Sequence, residues 1–373
     1  MNAKPPEPPD RSLASKSTRY RFLFAGASVL MLWLAQPPLT FWPFAWVCLV
    51  PVLGLISEKS AFTRRDYAAI WLASSLYWLV SLQGIRHAHP AMYVCLAALA
   101  GYLGIYLPLF VLLCRRCVRW KIPLFVSAAA LWVGLECVRN YMLTGISAVM
   151  LGHSLADVPA MIQIADLFGT YGVSFVIVTV NVAVFAVLTQ IVSRKRRRDS
   201  AYRPTHHIEA LQWSITACVV AAVCVGASFF YGQARLNEPI TETMATFALV
   251  QRNEQVEYQQ DVDRELHIFQ NYATQSIEEI ERSQVPIDVV VWPESMFTGG
   301  LPWMIADPDA VAPEQYEGPP ESFVSMVQQN QRYYLGRADE LIRTLAYPNP
   351  GQRKPHLVVG CGVVRYGKLP HAY

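Results

Sequence analysis

At 373 residues, with 53% hydrophobic and only 16% charged side chains, the chain is long enough for two domains and too apolar for an ordinary soluble protein. Charge divides it: residues 1–231 carry 20 Lys and Arg against 9 Asp and Glu, whereas residues 232–373 carry 11 against 19. A single water-soluble globule is thereby excluded, and a membrane-embedded half with cationic loops followed by an acidic domain in water is expected.

Residues 1–19 are rich in proline and charge and read as a disordered cytoplasmic tail. Seven apolar stretches follow, at 20–36, 40–57, 67–85, 90–114, 122–138, 168–192 and 211–231, each a candidate spanning helix in a transmembrane domain over 20–231. Basic residues alternate between the loops. The tail (Lys4, Arg11, Lys16, Arg19, Arg21), the second loop (Lys59, Arg64, Arg65), the fourth (Arg115, Arg116, Arg119, Lys121) and the sixth (Arg194 to Arg198, Arg203) are rich in them. The intervening loops hold Arg86, Arg139 or none. By the positive-inside rule the rich loops are cytoplasmic, and seven crossings place residues 232–373 on the outer face. The Arg194 to Arg198 run is a topogenic loop on this reading, and no nucleic-acid partner is expected.

Two places in the membrane half stand out. Segment 139–167 is moderately apolar but broken by Gly145, Gly152, Asp157 and Pro159, which suits a stretch lying at the outer interface or dipping between helices. Glu136 and Arg139, at i and i+3, are spaced to pair on one helix face, either as a structural ion pair or as a functional group. Seven of the eight cysteines fall in or beside the apolar stretches, as small fillers.

Beyond residue 244 the pattern changes. A strand is expected over 246–251, and a helix over 259–283 with Val262, Leu266, Phe269, Ala273 and Ile277 inward. A β-branched strand follows at 287–292, so strand, helix and strand imply a parallel crossover. Residues 299–321 read as a surface excursion and 322–346 as a second helix. The run 357–364 reads as one core strand burying Cys361 as an inert thiol. Pro293 cannot donate a ladder hydrogen bond, so pairing stops at Trp292-Pro293-Glu294-Ser295 and Glu294 is carried to the rim of the sheet. A half-buried carboxylate at a strand's carboxyl edge suits a general base; a solvated loop acid is the plainer alternative. With no metal-ligand cluster and no phosphate loop in sight, no cofactor is expected.

Five motifs in order carry a resemblance: Leu39-Thr40-Phe41-Trp42-Pro43-Phe44-Ala45-Trp46, Leu131-Trp132-Val133-Gly134-Leu135-Glu136-Cys137-Val138-Arg139, Gln163-Ile164-Ala165-Asp166-Leu167 with Tyr171-Gly172-Val173-Ser174-Phe175, Leu249-Val250-Gln251, and Val291-Trp292-Pro293-Glu294-Ser295. Together they resemble the apolipoprotein N-acyltransferases. The resemblance implies a multi-pass inner-membrane enzyme with a nitrilase-like (αββα) carbon–nitrogen hydrolase domain, here partial over 244–373, facing the periplasm. It implies a two-step acyl exchange between a phospholipid donor and the amine of a diacylglyceryl-cysteine lipoprotein, with Glu294 as the general base. The family's catalytic lysine and cysteine lie beyond the strand that resembles 357–364. Neither Cys361 nor Lys368 takes those roles, so the chain is expected to be a fragment of a larger reading frame, the alternative being a degenerate protein without the nucleophile, and to be inactive as it stands. A membrane-tethered amidase and a non-catalytic lipid- or lipoprotein-binding protein are the competing readings.

Overall fold

The computed structural model of the chain describes residues 11–87, 89–143, 145–198, 207–239, 244–254, 262–314, 316–346 and 354–368. It contains two compact units, Met1–Pro239 and Ile240–Tyr373.

The first unit is helical. Helix α1 (Arg11–Ala35) is followed by a 3-10 turn (Trp42–Trp46), α2 (Val50–Ser57), α3 (Arg64–Ser81), α4 (Met92–Leu103), α5 (Tyr106–Arg119) and α6 (Leu124–Tyr141). The short α7 (Pro159–Ile162), the long α8 (Ala165–Arg198) and α9 (His207–Leu236) complete it. Among the described residues, three helices are long and apolar enough to cross a membrane: Met92–Arg119, which joins α4 and α5, Ala165–Lys195 and Leu211–Leu236. Stretch 40–57 is not one helix. It breaks between the 3-10 turn and α2, and the break is stitched by the buried Asn181 of α8, whose Oδ1 accepts from the Leu49 amide at 2.7 Å while its Nδ2 donates to the Ala45 carbonyl at 2.8 Å. Away from water, freed backbone groups need such a partner. Helix α8 itself bends at Gly169, where φ 60° and ψ −174° suit a residue without Cβ.

The start of α1 meets the second and fourth loops at one end of this unit. Arg21 binds Glu58 through Nε and Nη2 at 3.2 and 2.8 Å and also pairs with Asp66. Arg115 donates to the carbonyls of Leu55, Glu58 and Ser60. Both guanidinium groups lie over the Phe62 ring, at 4.0 and 3.9 Å from its centre. Segment 139–167 packs into the helical core rather than lying on its surface: Met150, Leu151, Leu155 and Met161 are buried. Its backbone is satisfied by side chains, Leu151 N donating to Glu136 Oε1 at 2.8 Å and Gly152 N to Ser174 Oγ at 2.9 Å.

The second unit has a parallel three-stranded sheet in the order β1 (Phe247–Leu249), β2 (Val289–Trp292), β4 (His356–Val359), and a parallel pair of β3 (Trp303–Ala306) with β5 (Val363–Tyr366). Helices α10 (Val262–Arg282) and α11 (Pro320–Ala346) supply the rest. Val290, Trp292, Phe297, Ile268, Tyr272 and Tyr334 form its core. Trp292 Nε1 donates to Ser276 Oγ at 2.9 Å, which ties β2 to α10.

Three expectations need correction. The excursion 299–321 contains strand β3. The run 357–364 is two strands in two different sheets, parted at Gly360-Cys361-Gly362, so Cys361 is half-buried in a connection rather than sealed mid-strand. The inward face of α10 is rotated by about one residue: Glu265, Ile268, Tyr272, Ser276 and Ile280 are buried, Phe269, Ala273 and Ile277 pack at its margin as expected, and Val262 and Leu266 are exposed. Polar residues enter that face because each has a partner, Glu265 pairing with Arg337 of α11 and Ser276 with Trp292.

Candidate functional site

The site is built at the carboxyl end of β2. Val290 and Trp292 alternate into the core, so the strand's direction is fixed by packing, and Pro293 then ends the ladder. The following turn reverses the chain with Ser295 in the left-handed region at φ 62°. Phe297 and Thr298, both wholly buried, anchor it.

The floor of this turn is the connection between β4 and β5. Phe297 N donates to the Gly360 carbonyl at 3.3 Å, Gly362 N to Thr298 Oγ1 at 3.4 Å, and Trp303 N to the Gly362 carbonyl at 2.7 Å. Gly360 lies so close that a Cβ there would stand 2.4 Å from Glu294 Cα and 2.6 Å from the Pro293 carbonyl oxygen. Only glycine fits.

Glu294 is therefore held firmly by its backbone while its side chain is exposed and bonds to no described residue. The expected half-burial is not met, because the inward places of the turn are taken by Phe297 and Thr298. A carboxylate so placed accepts protons or hydrogen bonds from whatever approaches the rim of the sheet. Cys361 follows Gly360 in the floor, and Lys368 is turned away into an exposed pair with Asp309 at 2.9 Å.

Sequence reasoning missed the pair nearest to this turn. Glu265 of α10 and Arg337 of α11 are buried partners, and Arg337 also covers the Phe269 ring at 3.7 Å. Glu265 backs directly on Gly299, the far end of the Glu294 turn. The signal was present in the spacing Glu265, Ile268, Tyr272, which repeats at three and four residues as well as the apolar set does. Burial of the nearby Tyr334, with Glu265 beside it, pushes its phenol up to about 12. In the helical unit, Glu136 and Arg139 are both buried, yet no hydrogen bond joins them: Glu136 Oε1 accepts from Trp132 Nε1 and the Leu151 amide, and Arg139 lies over the Trp78 ring at 5.0 Å. The expected pairing is not formed.

With this geometry in view, residues 28–183 match the model of the apolipoprotein N-acyltransferase N-terminal domain. Those residues match that domain, and the chain is similar to the apolipoprotein N-acyltransferases. It is 40% identical to the apolipoprotein N-acyltransferase of Rhodopirellula baltica over 95% of its own length and 63% of that protein's. It is 28% identical to the apolipoprotein N-acyltransferase of Geobacter metallireducens over 74% of its length and 51% of that protein's. To apolipoprotein N-acyltransferase 1 of Treponema denticola it is 24% identical over 70% of its length, covering 45% of that protein. The chain thus spans less than two thirds of each of these relatives, and its match to the apolipoprotein N-acyltransferase of Rhodopirellula baltica extends through both units.

Proposed function

We propose that this chain is the membrane domain and the first part of the catalytic domain of an apolipoprotein N-acyltransferase, an enzyme of lipoprotein maturation in the bacterial inner membrane. All seven apolar stretches cross the bilayer on this reading, the second of them broken at the Asn181 stitch. The second unit is part of a nitrilase-like domain and faces the periplasm. The clustering of the second and fourth loops around Arg21 supports a common side for the cationic loops.

Glu294 is the general base. In the first half-reaction it takes the proton of a cysteine thiol, whose sulfur attacks the ester carbonyl of a phospholipid, and returns that proton to the departing lysophospholipid oxygen as the C–O bond breaks. In the second it takes a proton from the α-amine of a diacylglyceryl-cysteine, which attacks the thioester, and returns it to the departing cysteine sulfur as the C–S bond breaks. The observation that carries this role is the rigid seat of Glu294 at the strand exit: its Cα packs on Gly360 while its carboxylate remains unbonded and open to a reacting group.

The test is complementation. In cells depleted of their own N-acyltransferase, the complete reading frame bearing this sequence should restore the N-acyl group on lipoproteins, read by mass spectrometry of their amino-terminal peptides. Glu294→Gln should lower acyl transfer by about two to four powers of ten, the usual worth of a general base. Unchanged transfer by the variant would reduce Glu294 to a loop acid, and no restoration by the parent frame would remove the proposed activity.

A further inference from the structure

The helical unit contains a partly enclosed, mostly apolar chamber, lined also by two buried ionisable side chains, that the reaction above does not use. Its walls come from α1, α3, α5 and α6 and from the 149–151 segment, and include Tyr77, Trp78, Tyr106, Phe110 and Trp132. Glu136 and Arg139 line it as well, and each is more than nine-tenths buried. Its free space is about 60 Å³. A water needs on the order of 10–15 Å³ on that measure, so the chamber has room for a few waters or for one compact headgroup.

The polar atoms here are short of partners. Arg139 Nε and Nη2, Glu136 Oε2 and the Tyr77 hydroxyl are buried and make no hydrogen bond. Buried polar atoms of a native fold are normally satisfied, and a half-satisfied charged group in a membrane helix is costly. The free atoms of Arg139 also form a geometric set. Nε and Nη2 share one edge of the guanidinium, and it is with this edge that Arg21 grips both oxygens of Glu58 elsewhere in the unit. Such a fork matches two oxygens of a carboxylate or phosphate. Glu136 Oε2, three residues earlier on the same helix, calls for a donor.

We propose that this chamber binds an oxyanion that also carries a hydrogen-bond donor, the chemistry of a phosphomonoester. Two phosphate oxygens take the Arg139 fork, and the remaining P–OH donates to Glu136 Oε2. The apolar and aromatic walls suit the first carbons of an attached chain. The inference rests on the chamber alone and does not depend on the role of Glu294.

Titration calorimetry on the purified 373-residue chain in dodecylmaltoside tests it, with inorganic phosphate in one arm and dihexanoylphosphatidic acid in the other. One molecule bound per chain is expected in at least one arm. Binding of both with similar affinity identifies a free-phosphate site, and binding of the lipid alone a headgroup site. Arg139→Lys, which keeps the charge and loses the fork, should weaken binding at least tenfold. Should that variant fail to fold, dihexanoylglycerol, the same amphiphile without phosphate, must bind the parent chain at least tenfold more weakly than dihexanoylphosphatidic acid. No binding in either arm, equal binding by Arg139→Lys, or equal binding of the phosphate-free lipid would overturn the proposal.

Discussion

Gly360 and Glu294 are in backbone contact across the ends of two parallel strands: one residue past the register pair Trp292–Val359, the chain at Gly360 leaves no room for a side chain beneath Glu294 Cα. The placement of the carboxylate is thus a property of β4 as much as of β2.

Gly360→Ala should therefore destabilise the second unit by about 1–3 kcal/mol, the usual cost of overpacking, since the obstruction is backbone and cannot swing aside. Thermal melts of the detergent-solubilised chain followed by proteolysis near residue 294 check this. A variant with unchanged melting and unchanged cleavage would show that the contact is loose.

The buried pair Glu265–Arg337 gives a second expectation. Glu265→Gln leaves Arg337 buried without its counter-charge, at a cost of about 3–5 kcal/mol, whereas replacing both by apolar residues of similar size should recover most of the loss. A double-mutant cycle on denaturant midpoints measures the difference. Equal losses in the single and double variants would contradict it.

Acid should loosen the end of the helical unit where the cationic loops meet. Burial alone would raise the Glu58 carboxyl, but hydrogen bonds from Arg21 and Ser60 hold it below its ordinary value; Asp66 is likewise lowered against its own burial by Thr18, Thr63 and Arg21. A carboxylate with a depressed folded pKa contributes stability that is fully present above its unfolded value, about 4, and is lost as pH falls through the folded value. Melting temperature should be flat from about pH 7 to 5 and fall below about pH 4. Glu58→Gln should flatten that fall. A parent chain whose melting is insensitive to acid would show that these pairs add nothing.

Topology supplies the last expectation. Reporter fusions after Arg203 should be cytoplasmic and those after Arg235 external, because every loop agrees with one orientation. A cytoplasmic signal after Arg235 would reverse the placement of Glu294.

Much of this was legible in the residues because it depends on local pattern. The β-branched run before Pro293 identified β2 and the exit of Glu294, and the spacing of 262–282 identified α10 and the parallel crossover. What was not legible depends on partners distant in sequence. The correct face of α10 is decided by Arg337, which lies 72 residues from Glu265. The break in 40–57 is tolerable only because Asn181 arrives from α8, and hydropathy gives the broken stretch and a straight helix the same appearance. The split of 357–364 falls beside Gly360, whose need for closeness appears only when Glu294 is seated on it.

The arrangement around Phe62 has a consequence for how orientation in this protein can be probed. On the proposed topology Arg21 and Arg115 are among the charges that steer insertion, and they also tie α1, α2 and α5 together by holding Glu58, four backbone carbonyls and one aromatic ring between them. Neutralising either one would change folding and topology together, so a misoriented or degraded product could not be assigned to one cause. Arg64 and Arg65, which carry the same sign in the second loop and make none of those contacts, are the positions at which charge can be altered without loosening the bundle.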